Sequence, residues 1–286
     1  MGELTVGELT VGEVTVTAPD RRRVPLRAYV GLARAALTSL LAYQATFLFG
    51  LLASVFSAVA MLFLWQAVLR GGQAPHGFDW PTMKAYLLVA FVAGSLASSY
   101  VDYRMAFRIQ RGDIALDLVR PVDYQRARFA EALGFGLYEL LSGLLVATAA
   151  GALFGGVPLP RGALLPFALS AALVLPLRFA FIYITAMAMF WTHNYIGVNS
   201  GRIAVVTLFS GALVPLPFLP GWLQAVAAVL PFQGMAATPA LLFTGRLTGS
   251  AAWAGVAVQG LWTVALWWGA RGLWRAASRQ LTVHGG

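Results

Sequence analysis

The chain contains no cysteine and a single lysine, and charged residues make up only 11% of its 286 residues. Without cysteine, disulfides, thiolate metal sites and thiol catalysis are excluded. A soluble domain usually carries about 25% charged residues, so the low charge argues against a water-soluble fold. The three histidines (His76, His193 and His284) lie far apart, and we therefore expect no metal site.

Apolar residues take the place of the missing charges. They make up 59% of the chain, and the mean hydropathy is +0.74. That much apolar surface needs lipid as its solvent, so the composition predicts an all-α integral membrane protein. The net charge of +9 then reflects arginines on the cytoplasmic side, near anionic lipid. We expect the lipid bilayer as a partner and no nucleic acid.

Motifs for catalysis are missing as well. The sequence has no phosphate-binding loop of the form G-x-x-x-x-G-K-[ST], and its only lysine, Lys84, follows no such glycines. It has neither the G-x-S-x-G elbow of a hydrolase nor the H-E-x-x-H pattern of a metalloprotease. We expect a chain that is not an enzyme and holds no cofactor. If its function is driven by ATP, we expect a partner ATPase to bind ATP and Mg²⁺.

Windows without charge predict six transmembrane helices, because about 20 apolar residues cross the hydrocarbon core. The windows are Arg34 to Arg70, Lys84 to Asp102, 132–160, 162–192, Arg202 to Arg246, and Arg246 to Arg271. Glu139 and Arg178 interrupt the third and the fourth window. Charges inside a membrane are costly, so we expect these two to pair with each other or to line the route of a substrate.

The fifth window is long enough for two spans. However, Pro215, Pro217 and Pro220 lie in its middle, and proline interrupts a helix. We therefore predict one span followed by an outer re-entrant hairpin from about Pro217 to Phe243. Irregular backbone at membrane depth requires cover from protein or from a water-filled cavity.

Six spans place both termini on one side of the membrane. That side then carries fifteen of the twenty basic residues, and the positive-inside bias assigns it to the cytoplasm. Residues 21–34 combine apolar residues at helical spacing with a stripe of arginines, which predicts an interfacial helix rather than a plain flank. The pentapeptide repeat before it leads us to interpret 1–20 as a disordered tail and 21–286 as one transmembrane domain.

A dense polar stretch, RGDIALDLVRPVDYQRAR at 111–128, lies between the second and third windows. Asp113 can cap a short helix, and Pro121 stops it. This pattern predicts a rigid element on the cytoplasmic side through which another protein moves the spans. An ordinary basic loop is the alternative, but it explains neither the aspartates nor the proline stop.

Two pairs of side chains are expected to shape this short helix. Asp117 and Arg120 stand three residues apart and can pair on its surface. Ile114 and Leu118 share one face, which is apolar and available for docking.

The segment GDIALDLVRPVDYQ at 112–125 resembles the loop of ATP-binding-cassette type-2 transporter permeases, in the bacterial six-span branch associated with daunorubicin-type drug-exporter ATPases. The proline-rich segment 211–245 and the ending LTVHGG at 281–286 are similar to the same branch. The resemblance implies an exporter subunit that pairs with ATPase subunits and with a second permease, and that moves an amphipathic or lipophilic cargo outward. It also implies a coupling helix made of Gly112, Asp113, Ile114, Asp117, Leu118, Arg120 and Pro121.

Two other classes of transporter remain as alternatives. An ion-coupled carrier or a channel predicts inverted repeats with paired broken helices, whereas only one broken region is present, after the fifth span. The permease of a binding-protein-dependent importer carries an E-A-A loop, which EALGFG at 131–136 resembles only faintly, since it opens a span.

Overall fold

The regular structure of the chain is helical throughout the residues described by a computed structural model, and the predicted all-α class is confirmed for them. The described residues are 25–41, 44–70, 77–96, 99–114, 117, 122–156, 159–192 and 194–278. The repeat tail at 1–20 and the ending at 281–286 lie outside them. Within these ranges, ten α-helices have described bounds: α1 (Leu26–Leu41), α2 (Gln44–Leu69), α3 (Trp80–Ser95), α4 (Ser99–Gln110), α5 (Tyr124–Leu153), α6 (Leu164–Met187), α7 (Tyr195–Phe209), α8 (Gly221–Val229), α9 (Ala237–Phe243) and α10 (Gly249–Ser278).

Three helical stretches of the described residues are long and apolar enough to cross a membrane. They are Leu48–Leu69, Tyr124–Leu153 and Leu164–Phe190. Helix α7 is apolar but shorter. The first, third, fourth and fifth predicted windows thus each contain an apolar helix, whereas the full count of six spans stays a prediction.

Two predicted windows are divided between helices. The window from Arg34 to Arg70 contains the end of α1 and all of α2, and the window from Lys84 to Asp102 contains most of α3 and the start of α4. Leu96 leaves helical geometry after α3. The absence of charge marks an apolar stretch, but it does not reveal where the chain turns inside that stretch.

Helix α5 lies at the centre of the fold, where α1, α2 and α3 pack against it. Small residues allow the closest approaches: a Cβ atom added at Gly134 would overlap the backbone carbonyl of Ala33 in α1. The segment predicted as an interfacial helix is helical from Leu26. Its close contact with α5 holds it against the rest of the described protein. Residues 21–24 lie outside the described part.

The proline-rich segment after α7 is broken into short helices, as predicted. Pro215 precedes a 3₁₀ turn at Leu216–Phe218, and Pro231 begins another at Pro231–Met235. Helices α8 and α9 are only nine and seven residues long. Two uninterrupted helices do not form there, because proline cannot donate the backbone hydrogen bonds that they need.

Side chains from other helices cover the polar backbone of this segment. Tyr86 donates to the carbonyl of Gly211 (2.8 Å), and Trp65 donates to the carbonyl of Leu213 (3.3 Å). Gln259, on α10, donates to the carbonyls of Gly234 and Ser170, both at 2.9 Å. Protein therefore supplies the cover that irregular backbone requires.

Candidate coupling site

The polar stretch begins with an exposed turn at the end of α4. Gly112 has φ +76°, in the left-handed region where glycine is favoured. Arg111 and Gly112 are exposed and Asp113 is half-buried, and the chain is helical at Ile114 and at Asp117. The surface offered by this turn is therefore polar. Three predicted coupling residues (Leu118, Arg120 and Pro121) lie outside the described residues.

Ile114 corrects one expectation. Its side chain is 0% exposed and packs in a cluster with Met105 of α4 and Tyr124 of α5. The prediction that Ile114 offers a docking face is wrong, because the turn folds back and removes this apolar side chain from water. Ile114 instead anchors the turn to the two helices that it connects.

An ion pair holds the turn from the polar side. The Arg108 guanidinium donates from Nε and Nη2 to the two carboxylate oxygens of Asp117, at 2.8 and 2.9 Å. Such a bidentate geometry fixes orientation as well as distance. The predicted partner, Arg120, lies outside the described residues, so the pair of Asp117 with Arg120 stays a prediction.

A second ion pair continues from α4 to α7. Arg202 of α7 donates to the carboxylate of Asp102 of α4 at 2.7 Å, and the Tyr195 hydroxyl donates to the same oxygen at 3.3 Å. Asp102 is 2% exposed. We call this group the α4–α7 ion pair. Partial burial and the neighbouring Asp102 raise the pKa of Tyr195 to about 12, so its hydroxyl keeps the proton that it donates.

The α4–α7 ion pair is the main polar attachment of α7, which contains no fully buried residue. Sequence reasoning did not find it, although a signal was present. Asp102 bounds the second charge-free window and Arg202 the fifth, both at the ends predicted to be cytoplasmic, and the two residues carry opposite charges.

The start of α5 is attached to the last helix. Asp123 accepts a hydrogen bond from the backbone N–H of Arg126 (2.9 Å), which caps α5. Its other carboxylate oxygen accepts from Arg271 of α10 at 2.9 Å. Gln125 donates to the carbonyl of Trp267 at 3.1 Å. These contacts fix the end of the polar stretch, so that its beginning and its end are both tied to long helices.

A cavity of about 260 Å³ lies between α1, the polar stretch and α5. Asp117, Tyr124 and Arg128 line it together with apolar residues of α1. Arg128 forms an ion pair with Glu131 at 3.0 Å. The stretch therefore has open space on the side that faces α1.

The two charges predicted inside the membrane both lie against α3. Arg178 is 8% exposed and donates to the carbonyl of Gly94 at 3.0 Å. The backbone carbonyl of Glu139 accepts from the Ser95 hydroxyl (3.3 Å), and its side chain lines a cavity of about 250 Å³. The two charges attract each other. Whether they act as a pair or line a substrate route stays a prediction.

Across the described ranges, no group of three or more His, Cys, Asp or Glu side chains could hold a metal ion. Around the described part of the polar stretch, the ion pairs join Arg108 to Asp117, Arg202 to Asp102, Arg271 to Asp123 and Arg128 to Glu131.

A comparison with protein-family models matches residues 55–285 to a family described as "ABC-2 family transporter protein". The matched range contains α3 to α10, the polar stretch and the broken segment. None of the curated proteins compared with the chain is significantly similar to it.

Proposed function

The chain belongs to the ABC-2 family of transporter proteins, and on this premise we propose that it is the membrane permease subunit of an exporter driven by a separate ATPase. The family assigns it to membrane transport and implies an ATP-binding-cassette ATPase as a partner in general. Beyond the family, we propose that transport is outward, that the cargo is amphipathic or lipophilic, and that the ATPase acts on the polar stretch.

The observation that carries the proposal is the series of ion pairs that begins at the polar stretch. Arg108 ties Asp117 to α4, and Arg202 ties α4 to α7. A partner that displaces the exposed turn would pull on α4 and, through it, on the sparsely packed α7. Motion of one helix relative to a packed body is a known form of alternating access.

The proposed topology has six spans and two cytoplasmic termini. In this arrangement the turn at Arg111–Asp113 faces the cytoplasm, where an ATPase would find it. The positive-inside bias supports it, because the arginines of α4, of the polar stretch and of the end of α10 then share one side.

The proposed cargo is amphipathic or lipophilic. Apolar side chains dominate the walls of a cavity of about 670 Å³ between α3, α5, α6 and α9, whereas Glu139, Ser95 and Ser142 line a smaller and more polar one. A second permease subunit, either another copy or a sister protein, would complete the translocation path.

The test is to purify the chain together with a candidate ATP-binding-cassette ATPase from the same organism, and to measure ATP hydrolysis in proteoliposomes. Asp113→Lys should abolish stimulation of hydrolysis while the complex stays assembled, because the charge of the exposed turn is reversed. Arg126→Ala, an exposed change in α5, is the matched control and should leave stimulation intact.

Two results would contradict the proposal. One is stimulation that survives Asp113→Lys. The other is cargo movement without the ATPase, driven by an ion gradient, which would indicate a carrier or a channel.

A further inference from the structure

A polar cavity of about 250 Å³ lies between α2, α3 and α5. Five of its lining residues carry polar side chains, namely Ser54, Ser95, Tyr138, Glu139 and Ser142. Glu139 is buried, with an exposed fraction of 9%. None of the described residues that line the cavity is basic. The coupling path through α4 and α7 does not include this buried acid, so its role needs a separate explanation.

The serine hydroxyls of this cavity already donate their hydrogens to the backbone. Ser142 donates to the backbone carbonyl of Glu139 at 3.1 Å. Ser95 donates to the carbonyls of Val92 (2.8 Å) and Glu139 (3.3 Å). A hydroxyl has one hydrogen and two lone pairs, so each of these oxygens can only accept a further hydrogen bond. An ionised carboxylate also only accepts. The cavity therefore favours a guest that donates hydrogen bonds.

Glu139 lies in the middle of α5, far from both of its ends. It follows Tyr124 by fifteen residues and precedes Leu153 by fourteen, which corresponds to about 22 and about 21 Å of helix. Helix α5 is one of those that are long and apolar enough to cross a membrane. The headgroup of a bilayer lipid stays at the membrane surface, so this depth favours a guest that moves through the protein.

A second cavity, of about 350 Å³, adjoins the first. Ser54, Phe91 and Ser95 line both cavities. The rest of the second lining is mainly apolar and comes from α2 and α3, with Thr207 of α7 and Leu213 of the broken segment. The two cavities together therefore offer an acidic, polar end and an apolar end.

Arg178 balances part of the charge of Glu139 but is not among the residues that line either cavity. Its guanidinium attracts Glu139 and donates to the backbone carbonyl of Gly94 at 3.0 Å. A guest can therefore reach the carboxylate without displacing Arg178.

We propose that these two cavities bind an amphipathic amine, with its ammonium group at Glu139 and its apolar part between α2, α3 and α7. An ammonium group donates hydrogen bonds and carries a positive charge, which matches a carboxylate beside two accepting serine oxygens. This inference rests on the proposed function, because it narrows the cargo to cations. Thr207 belongs to α7, the helix that the α4–α7 ion pair attaches to α4, so motion of α7 would change the apolar end of the site.

The test measures binding to the purified permease in phosphatidylcholine nanodiscs, without an ATPase. The probes are tritiated octylammonium and, as its uncharged counterpart, tritiated octanol. Glu139→Gln removes the charge and keeps the shape of the side chain, whereas Glu139→Asp keeps the charge.

A second variant blocks the cavity without touching Glu139. Gly50→Leu fills the polar cavity from α2, where an added Cβ atom would meet nothing within 4 Å. Gly269→Leu of α10 is the matched control, because Gly269 has the same free space and lines neither cavity.

We expect saturable binding of octylammonium to the unchanged protein, with little change in Glu139→Asp and Gly269→Leu. In Glu139→Gln and Gly50→Leu the dissociation constant should rise about tenfold or more, as expected for the loss of a hydrogen bond to a charged group. Octanol should bind more weakly than octylammonium and should not respond to Glu139→Gln. If Glu139→Gln does not fold, as judged by size-exclusion chromatography, Gly50→Leu tests the same site with Glu139 in place.

Three results would overturn the proposal. Unchanged affinity for octylammonium in Glu139→Gln or in Gly50→Leu would show that these cavities do not hold it. Binding that sodium chloride abolishes, and choline chloride at the same ionic strength does not, would assign the site to an inorganic cation. Binding that is lost in phosphatidylethanolamine nanodiscs would assign it to the ammonium of a lipid headgroup. Because no ATPase is present, failure of this proposal and failure of ATPase coupling are observed separately.

Discussion

The carboxylate of Asp117 accepts two hydrogen bonds from the guanidinium of Arg108, nine residues earlier in the chain. This ion pair connects α4 to the described part of the polar stretch. Ile114 packs against α4 and α5 from the apolar side of the turn. If the proposed function is right, a force applied to the turn would reach α4 through these contacts.

The α4–α7 ion pair should dominate the stability of the cytoplasmic end. Arg202→Ala leaves the buried Asp102 carboxylate with the hydrogen bond from the Tyr195 hydroxyl, and breaking a buried ion pair costs about 3–5 kcal/mol. Thermal unfolding in detergent should show a clear drop in Tm. Arg104→Ala, at an exposed position of α4, is the control, and an equal drop there would contradict the prediction.

The same contact should weaken in alkali. The raised pKa of Tyr195, about 12, lies above the ordinary tyrosine value of about 10. The folded state therefore holds this proton more tightly, so the contribution is complete below pH about 10 and is lost as the pH rises through about 12. Tyr195→Phe should remove this part of the pH dependence. Ultraviolet titration of tyrosinate, compared between the two proteins, measures it.

Lys84 should resist chemical modification. It is 8% exposed, and its Nζ atom donates to the carbonyls of Phe154 (2.9 Å) and Gly156 (3.0 Å), just past the end of α5. An amine-reactive reagent should leave Lys84 unmodified in the native protein and label it after unfolding, as read by mass spectrometry. Rapid labelling of native protein at Lys84 would show that this attachment does not form.

Gln259 should be needed to hold the broken segment. Its amide donates to the carbonyls of Ser170 and Gly234, and its carbonyl accepts from the Ser170 hydroxyl at 2.7 Å. Gln259→Leu leaves buried polar groups without partners, at about 1–3 kcal/mol each. We expect a lower Tm and faster proteolysis near Gly234. Leu261→Ala, which changes a 69% exposed side chain of the same helix, should have little effect on either measurement.

Much of this fold can be predicted from the sequence, because a lipid environment restricts the residues and the backbone structures that it accepts. Runs without charge predict the apolar helices α2, α5 and α6, since hydrocarbon tolerates few charges. The prolines predict the broken segment after α7, because their effect on a helix is local. Both kinds of signal can be read without knowing what packs against what.

The parts that could not be predicted depend on contacts between distant residues. Periodicity predicts that Ile114 and Leu118 share a helix face, but it does not show whether Ile114 meets the protein or a partner. The partner of Asp102 is one hundred residues away. From its charge, Lys84 is expected at the outer end of a span. Its burial is explained by a hydrogen bond that its side chain donates to the carbonyl of Phe154, just past the end of α5.

The most direct measurement of the central claim is a charge-exchange cycle on the first ion pair, with ATP-driven transport in proteoliposomes as the readout. Asp117→Arg and Arg108→Asp should each abolish transport while the permease still assembles with its ATPase, and the double variant should regain a substantial part of it. Single variants that assemble and transport at the native rate would show that force does not pass through this pair, and would contradict the account.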